Sequence, residues 1–312
     1  METGPVDIAF DVTTESARAR IAGWMFAPAS TGLSNQTRVF VCVPGGSYTK
    51  SYFHLEVPGH KGYSMAQYLA AKGHIVIAID PLGVGESTHP ESEGDLLATH
   101  IAAASDAAVR QALTSLREGT LLPHLGRLPC IPSVAVGHSM GGMLVTLQQA
   151  NYGTFNGLAI LGFPTLELDR GTMAVTVGAM IGGEQPTDLT ALGASFPVQR
   201  ERLRDLFHFP DVPAEVIAVD NSLAVPVLTD AALHTMNPGL IVDKTNSLDI
   251  PLFLGFGEID LAADFRREPA SYLHATDITV LQLPKSGHCS NFASTRHQLW
   301  DRLDSWARSI SP

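Results

Sequence analysis

The sequence predicts an α/β protein with a mostly parallel central sheet and helices on both faces. Two patterns point to it. Short apolar, β-branched runs such as Val39-Phe40-Val41-Cys42-Val43 recur along the chain, and such runs suit strands buried on both sides. Between them lie stretches with apolar residues at helical spacing, so strand and helix alternate as in βαβ units. The 312 residues are enough for one large domain carrying an insertion.

Residues 6–30 alternate loosely (Ile8, Phe10, Val12, then Ile21, Trp24, Phe26) and predict an N-terminal antiparallel hairpin. A strand over 37–43 ends in Pro44-Gly45-Gly46-Ser47-Tyr48. A glycine pair after a central strand leaves backbone N–H groups free for a ligand, and it suits a tight β-turn equally well. Ser64 to Gly73 reads as a short helix with Ser64 as N-cap and Gly73 as stop signal. The next buried strand, His74 to Asp80, runs into Pro81-Leu82-Gly83-Val84-Gly85-Glu86-Ser87, and a helix follows over 97–117. Pro132 and Ser133 then open a strand that ends at Ser139, followed by a helix to about Asn151 and a strand over Gly157–Phe163.

Residues 164–248 break this rhythm. They mix Gly/Met-rich segments (Met173, Met180, Gly182, Gly183) with an amphipathic run from Val198 to Phe209, and read as a mostly helical insertion. Alternation resumes with a strand and exit loop over Ile250–Asp260 and a last strand, Thr279–Leu283, followed by Pro284-Lys285-Ser286-Gly287-His288. A C-terminal helix with Leu299, Trp300, Leu303, Trp306 and Ile310 on one face closes the chain.

Composition excludes several classes. A net charge of −11 argues against a nucleic acid or an anionic membrane as partner, since either calls for a basic face. The three cysteines, Cys42, Cys130 and Cys289, are too far apart for a disulfide framework or a metal knuckle. No metal or cofactor is expected. No basic-then-apolar leader and no membrane-length apolar run is visible, so a cytoplasmic protein without a membrane span is the expectation. The oligomeric state is open.

The chemistry centres on Gly137-His138-Ser139-Met140-Gly141. In isolation this pattern could be an ordinary Gly/Ser turn. Between a buried strand and an apolar helix, the flanking glycines instead permit a sharp turn that lifts the Ser139 hydroxyl above the sheet, at a helix N-terminus. A serine nucleophile needs a base, and twelve histidines compete for that role. His288, just past the last strand, is the best placed. His138 is next to Ser139, where side chains diverge, and receives a structural or pocket-edge role. Most of the others read as surface or capping histidines. The base needs a carboxylate to fix its tautomer. Asp260, at the tip of the preceding strand, is favoured over Glu258, Asp264, Glu167 and Asp169. Ligands in parallel sheets sit beyond the carboxyl ends of the strands, where Gly45–Tyr48, Ser139, Phe163, Asp260 and His288 all fall. Ser47, Tyr48, His138 and Phe163 are the candidate pocket residues.

The order Ser139…Asp260…His288 and the strand–serine–helix turn resemble the α/β-hydrolase superfamily, of the esterase and lipase-like kind, over nearly the whole chain. Pro44-Gly45-Gly46-Ser47 stands where that family has its oxyanion loop, with Pro44 in place of the common histidine. Asp80-Pro81-Leu82-Gly83-Val84-Gly85-Glu86-Ser87 is similar to the family's D-x-x-G-x-G-x-S segment. The resemblance implies an oxyanion hole from the Met140 N–H and that of Gly46 or Ser47. It also implies a cap at 164–248 inserted between core segments 1–163 and 249–312. Serine at 139 argues against the branches with a carboxylate nucleophile. The implied reaction is hydrolysis of a small-molecule ester, thioester or lactone. Carbon–carbon bond hydrolysis, perhydrolysis, and a ligand receptor with a slow triad are the alternatives. Apolar residues of the insertion and the loop (Phe196, Leu206, Phe207, Phe209, Tyr52, Phe53) predict a hydrophobic pocket for small to medium substrates. Arg200, Arg202 and Arg204 read as a solvated face, and Arg170 is the fourth arginine near the site.

Overall fold

A computed structural model describes residues 4–28, 33–128, 131–169, 171 and 192–311. Met173, Met180, Gly182, Gly183, Arg170 and Cys130 lie outside the described residues. The chain opens with the expected hairpin, β1 (Val6–Thr13) and β2 (Arg18–Phe26), paired antiparallel. Next come β3 (Val39–Val43), α1 (Met65–Ala71), β4 (Ile75–Ile79), α2 (Ala98–Glu118), β5 (Ser133–His138), α3 (Met140–Tyr152) and β6 (Gly157–Leu161). Ser64 caps α1 as its spacing predicts, its hydroxyl accepting from the Gln67 N–H at 3.0 Å. After the less regular middle segment, β9 (Leu252–Gly257), β10 (Ile278–Leu283) and α8 (Arg296–Ser309) complete the chain.

The strands form one eight-stranded sheet in the order β1-β2-β4-β3-β5-β6-β9-β10. From β4 to β10 every neighbouring pair is parallel; β2 meets β4 antiparallel. The apolar runs explain this burial. In β3, Val39, Val41 and Val43 face a core shared with α2 and α3, while Phe40 and Cys42 face a second core shared with α1 and α8. The central strands β3, β4, β5, β6 and β9, buried along their length, therefore need residues that tolerate burial at every position rather than at alternate ones. Burying a side chain of this size on both faces contributes about 1.5–3 kcal/mol per residue before entropy is subtracted.

Polar groups lock α8 to the sheet. The buried Arg38 donates to the carbonyls of Ala307, Arg308 and Ile310 at 2.7–2.9 Å, satisfying acceptors that a helix end leaves unpaired. His74 accepts from the Arg38 N–H and donates to Asp304 at 2.7 Å. His54, His74 and His208 are exceptions to the surface positions expected of most histidines, all three being buried. His54 and His74 have hydrogen-bond partners inside the protein, Ser64 and Asp304, and His208 Nε2 lies 3.1 Å from Asp220 Oδ2.

Between β6 and β9, the described residues form β7 (Ser195–Phe196), α4 (Arg204–Phe207), α5 (Ala214–Ser222), β8 (Val227–Leu228), α6 (Thr229–Met236) and α7 (Val242–Asn246). The β7–β8 ribbon was not expected, because two-residue strands carry no period to read.

Candidate active site

Ser139 joins β5 to α3 with φ 52° and ψ −119°, a left-handed conformation that costs a side-chain-bearing residue of order 1–3 kcal/mol. The glycines around it are steric necessities. A Cβ on Gly137 would collide with the backbone of Gly141, and one on Gly141 with the carbonyls of Val43 and Pro44. The turn is fixed by the Ser139 N–H, which donates to Leu161 O at 2.7 Å, and by Gly142 and Met143 N–H groups donating to Ser139 O. Met140 is the first residue of α3, so its N–H has no acceptor within the helix and points with the positive end of the dipole.

His288 follows β10, and its Nδ1 lies 2.7 Å from Asp260 Oδ1; both side chains are buried. Asp260 also accepts from the N–H groups of Gly257 (2.7 Å) and Leu261 (2.8 Å). A carboxylate only accepts, so the imidazole proton sits on Nδ1 and the lone pair on Nε2. Of the competing acids, Glu258 accepts from the Lys285 N–H and Asp264 from the Arg266 N–H.

Ser139 and His288 line one cavity of about 40 Å³, together with Gly46, Ser47, Tyr48, His138 and Met140. Of the four candidate pocket residues, Phe163 is the exception. It is buried in the core shared with α2 and α3 and does not line this cavity. The position past the strand end is right, but the side chain turns under α3 rather than over it, against the space where a Gly142 Cβ would be. His138 stacks on Tyr52 with ring centroids 4.3 Å apart and its Nε2 donates to His288 O at 2.9 Å. Burial, with the neighbouring His288 adding to it, holds its pKa well below the usual histidine value, so it stays neutral.

The loop after β3 packs directly on the serine turn: a Cβ on Gly45 would lie 3.1 Å from Ser139 Cβ and 2.8 Å from His138 Nδ1. Its far end is anchored by Lys50, whose Nζ meets the buried Asp80 carboxylate at 2.7 Å, beside the face of Trp24 at 4.8 Å. Lys50 was not singled out by its sequence context. Nor were the apolar residues Val198, Leu203, Val227, Ala232 and Met236, which close the cavity from the segment between β6 and β9.

Arg200 is a correction. Its amphipathic run predicts a solvated guanidinium, yet the residue is 2% exposed and pairs with Asp220 at 3.1 Å. The run is too short to behave as a surface helix: it is a 3₁₀ turn over Arg200–Leu203 followed by one turn of α4. Cys289 is buried, and burial pushes its thiol well above the usual range, so it is no nucleophile at neutral pH.

Residues 40–302 match the alpha/beta hydrolase family. The chain belongs to this family. As an α/β hydrolase it superposes on a soluble variant of monoglyceride lipase from Saccharomyces cerevisiae, solved with a substrate analogue. The TM-score is 0.69 at 15% identity, over 100% of this chain and 97% of that one. An esterase from Exiguobacterium antarcticum gives a TM-score of 0.64 at 16% identity, over 96% and 99% of the two chains. An N-acyl homoserine lactonase in complex with N-hexanoyl homoserine gives 0.58 at 16%, over 98% of each. At such identities the likeness is one of fold. No curated protein matches the chain in sequence. No helix among the described residues is long and apolar enough to cross a membrane.

Proposed function

We propose that this α/β hydrolase is a serine hydrolase cleaving a carboxylic ester, thioester or lactone of a small to medium hydrophobic substrate through an acyl-enzyme. The observation that carries the reading is the shared cavity. It brings a left-handed Ser139 to a His288 whose far nitrogen is held by Asp260 at 2.7 Å. In this reading Ser139 Oγ attacks the carbonyl carbon while His288 Nε2 takes its proton. The oxyanion is received by the N–H groups of Met140 and Gly46. Collapse expels the alcohol with the proton from His288, and a water activated by the same nitrogen releases the acid. Asp260 keeps the tautomer and stabilises the imidazolium.

The wall supports a hydrophobic substrate. Most of its residues are apolar, the nearby Arg200 is committed to Ser47 and Asp220, and no Lys or Arg among the described residues lines the cavity. Half of the lining residues lie within 198–236, which supports reading 164–248 as a cap over the core segments 1–163 and 249–312.

A serine-directed phosphonate should label Ser139 alone, and Ser139→Ala should lower kcat for an activated short-chain ester by about 10⁴-fold or more with the fold intact. Labelling of another serine with loss of activity overturns the assignment.

A further inference from the structure

The segment that roofs the cavity also holds its two working loops. Arg200 donates from Nε to Ser47 Oγ at 3.1 Å and from an NH2 nitrogen to Ser47 O, a carbonyl that also accepts from the Val225 N–H at 3.1 Å. Its other terminal nitrogen donates to Asp220 O at 2.6 Å and Oδ1 at 3.1 Å. The guanidinium lies 3.7 Å above the Tyr48 ring, whose hydroxyl donates to Asp220 Oδ2 at 3.0 Å. A planar fork used this way fixes direction as well as distance. Ser47 needs such fixing, since it has φ 65° without being glycine, and a strained residue persists only when its surroundings over-determine it. Six and seven residues along the chain from Arg200, the opposite loop is held. Leu206 O accepts from the His288 N–H at 2.8 Å and Phe207 O from the Cys289 N–H at 3.0 Å.

We infer that Arg200 is a positioning residue for catalysis: through Ser47 it aims the Gly46 N–H at the oxyanion, and residues 200–207 act as a fixed brace setting the spacing between the oxyanion loop and the histidine loop. This rests on the serine-hydrolase reading above. Arg200 touches no reacting atom. The brace is not a swinging lid, because opening it would break the hydrogen bonds of both loops together.

The test compares the full-length wild type with Arg200→Lys, which keeps the buried charge but cannot form the fork. Asp220→Asn, which takes the negative charge from the fork's other partner, serves as a second variant, and Arg202→Lys, exposed on the same turn, as a control. Amide exchange by mass spectrometry on peptides spanning 45–49 reads the loop. Steady-state hydrolysis and inhibition by a trifluoromethyl ketone read its aim, since the ketone adduct carries an oxyanion. In both Arg200→Lys and Asp220→Asn, exchange at 45–49 should rise while β5 and α3 keep their protection. In Arg200→Lys, kcat should fall about 10- to 100-fold with KM within about twofold, and the inhibition constant should rise by the factor kcat falls. Arg202→Lys should match wild type in every measurement.

Unchanged loop exchange in Arg200→Lys overturns the brace whatever the activity. A loosened loop with unchanged kcat and inhibition overturns the positioning role. A parallel rise in KM with an unaltered ketone-to-substrate ratio assigns Arg200 to the pocket wall and also overturns it. Should the Arg200 variant fail to fold, the same three readouts on Asp220→Asn decide. A wild type that takes neither phosphonate nor ketone at Ser139 overturns the hydrolase reading itself, and is recognised because the exchange difference between variants remains measurable.

Discussion

The carboxyl rim of the sheet and the segment above it build the same cavity by opposite means. On the rim, each candidate side chain stands just past the end of a parallel strand: Ser139 after the buried β5, Asp260 after the buried β9, His288 after the edge strand β10. Position there follows from strand register and the sheet's own hydrogen bonds. In the roof no described helix between β6 and β9 exceeds nine residues, and placement follows from a buried ion pair and carbonyls shared with the rim. Regular structure sets where the chemistry sits, and irregular structure sets what it closes upon. Damage to the rim should therefore abolish turnover, whereas damage to the roof should retune it.

The largest loss after Ser139 is expected at the acid. Asp260→Asn should lower kcat by roughly 10³–10⁴, and combining it with His288→Ala should add little, because the two act as one unit. Near wild-type activity in Asp260→Asn, with loss in Glu167→Gln or Asp169→Asn, would move the acid to the loop after β6. Next comes Gly45→Ala. The new methyl would press on Ser139 and His138, displacing the oxyanion loop, and kcat should drop about 10²–10³-fold, the range for losing one oxyanion donor. Steady-state kinetics with an activated ester checks it; an unchanged kcat in a folded variant would remove the loop from the mechanism.

For the roof, Met236→Ala should shift preference from acetyl to longer acyl esters about tenfold and leave the pH dependence of kcat in place. A displaced pH profile would mean that roof and rim are not separable.

The smallest effect concerns stability against acid. Burial lowers the pKa of His54, His74 and His138 in the folded protein, so below about pH 6.5 the unfolded chain takes up protons that the native one refuses. Stability is thus full above that pH and falls below it, by up to about 1.4 kcal/mol per pH unit for each such histidine. Urea unfolding at pH 7.5, 6 and 5 measures the slope, and a flat line would contradict the neutral, buried state of these rings.

The contrast between rim and roof also sorts what a reader of the sequence could find. Buried strands advertise themselves by continuous apolar runs, and Gly137 and Gly141 mark the serine turn because no other residue fits there. The central strands were legible for that reason, the hairpin from its looser alternation, the longer helices from their apolar spacing, and Asp260 and His288 from their places just past strand ends. Phe163 was misjudged because strand-end position does not say which way a side chain turns. Arg200 was misjudged because a charged residue on a short amphipathic run looks the same whether its partner is solvent or an Asp220 twenty residues away. Lys50 and Asp80 are thirty residues apart, and only the parallel pairing of β3 with β4 brings them together.

Ser47, Ser139 and Lys285 are non-glycine residues with left-handed backbone, and all three lie just beyond the carboxyl ends of parallel strands. Such conformations cost on the order of 1–3 kcal/mol each, a sizeable fraction of a domain's total stability of about 5–15 kcal/mol. Selection for heat resistance would act unevenly on this trio. Lys285, exposed and making no contact with the cavity, could become glycine and relax freely. Ser47 and Ser139 could not follow without losing the geometry they maintain. The molecule's room to evolve toward robustness thus lies along the same rim as its chemistry, one loop removed from it.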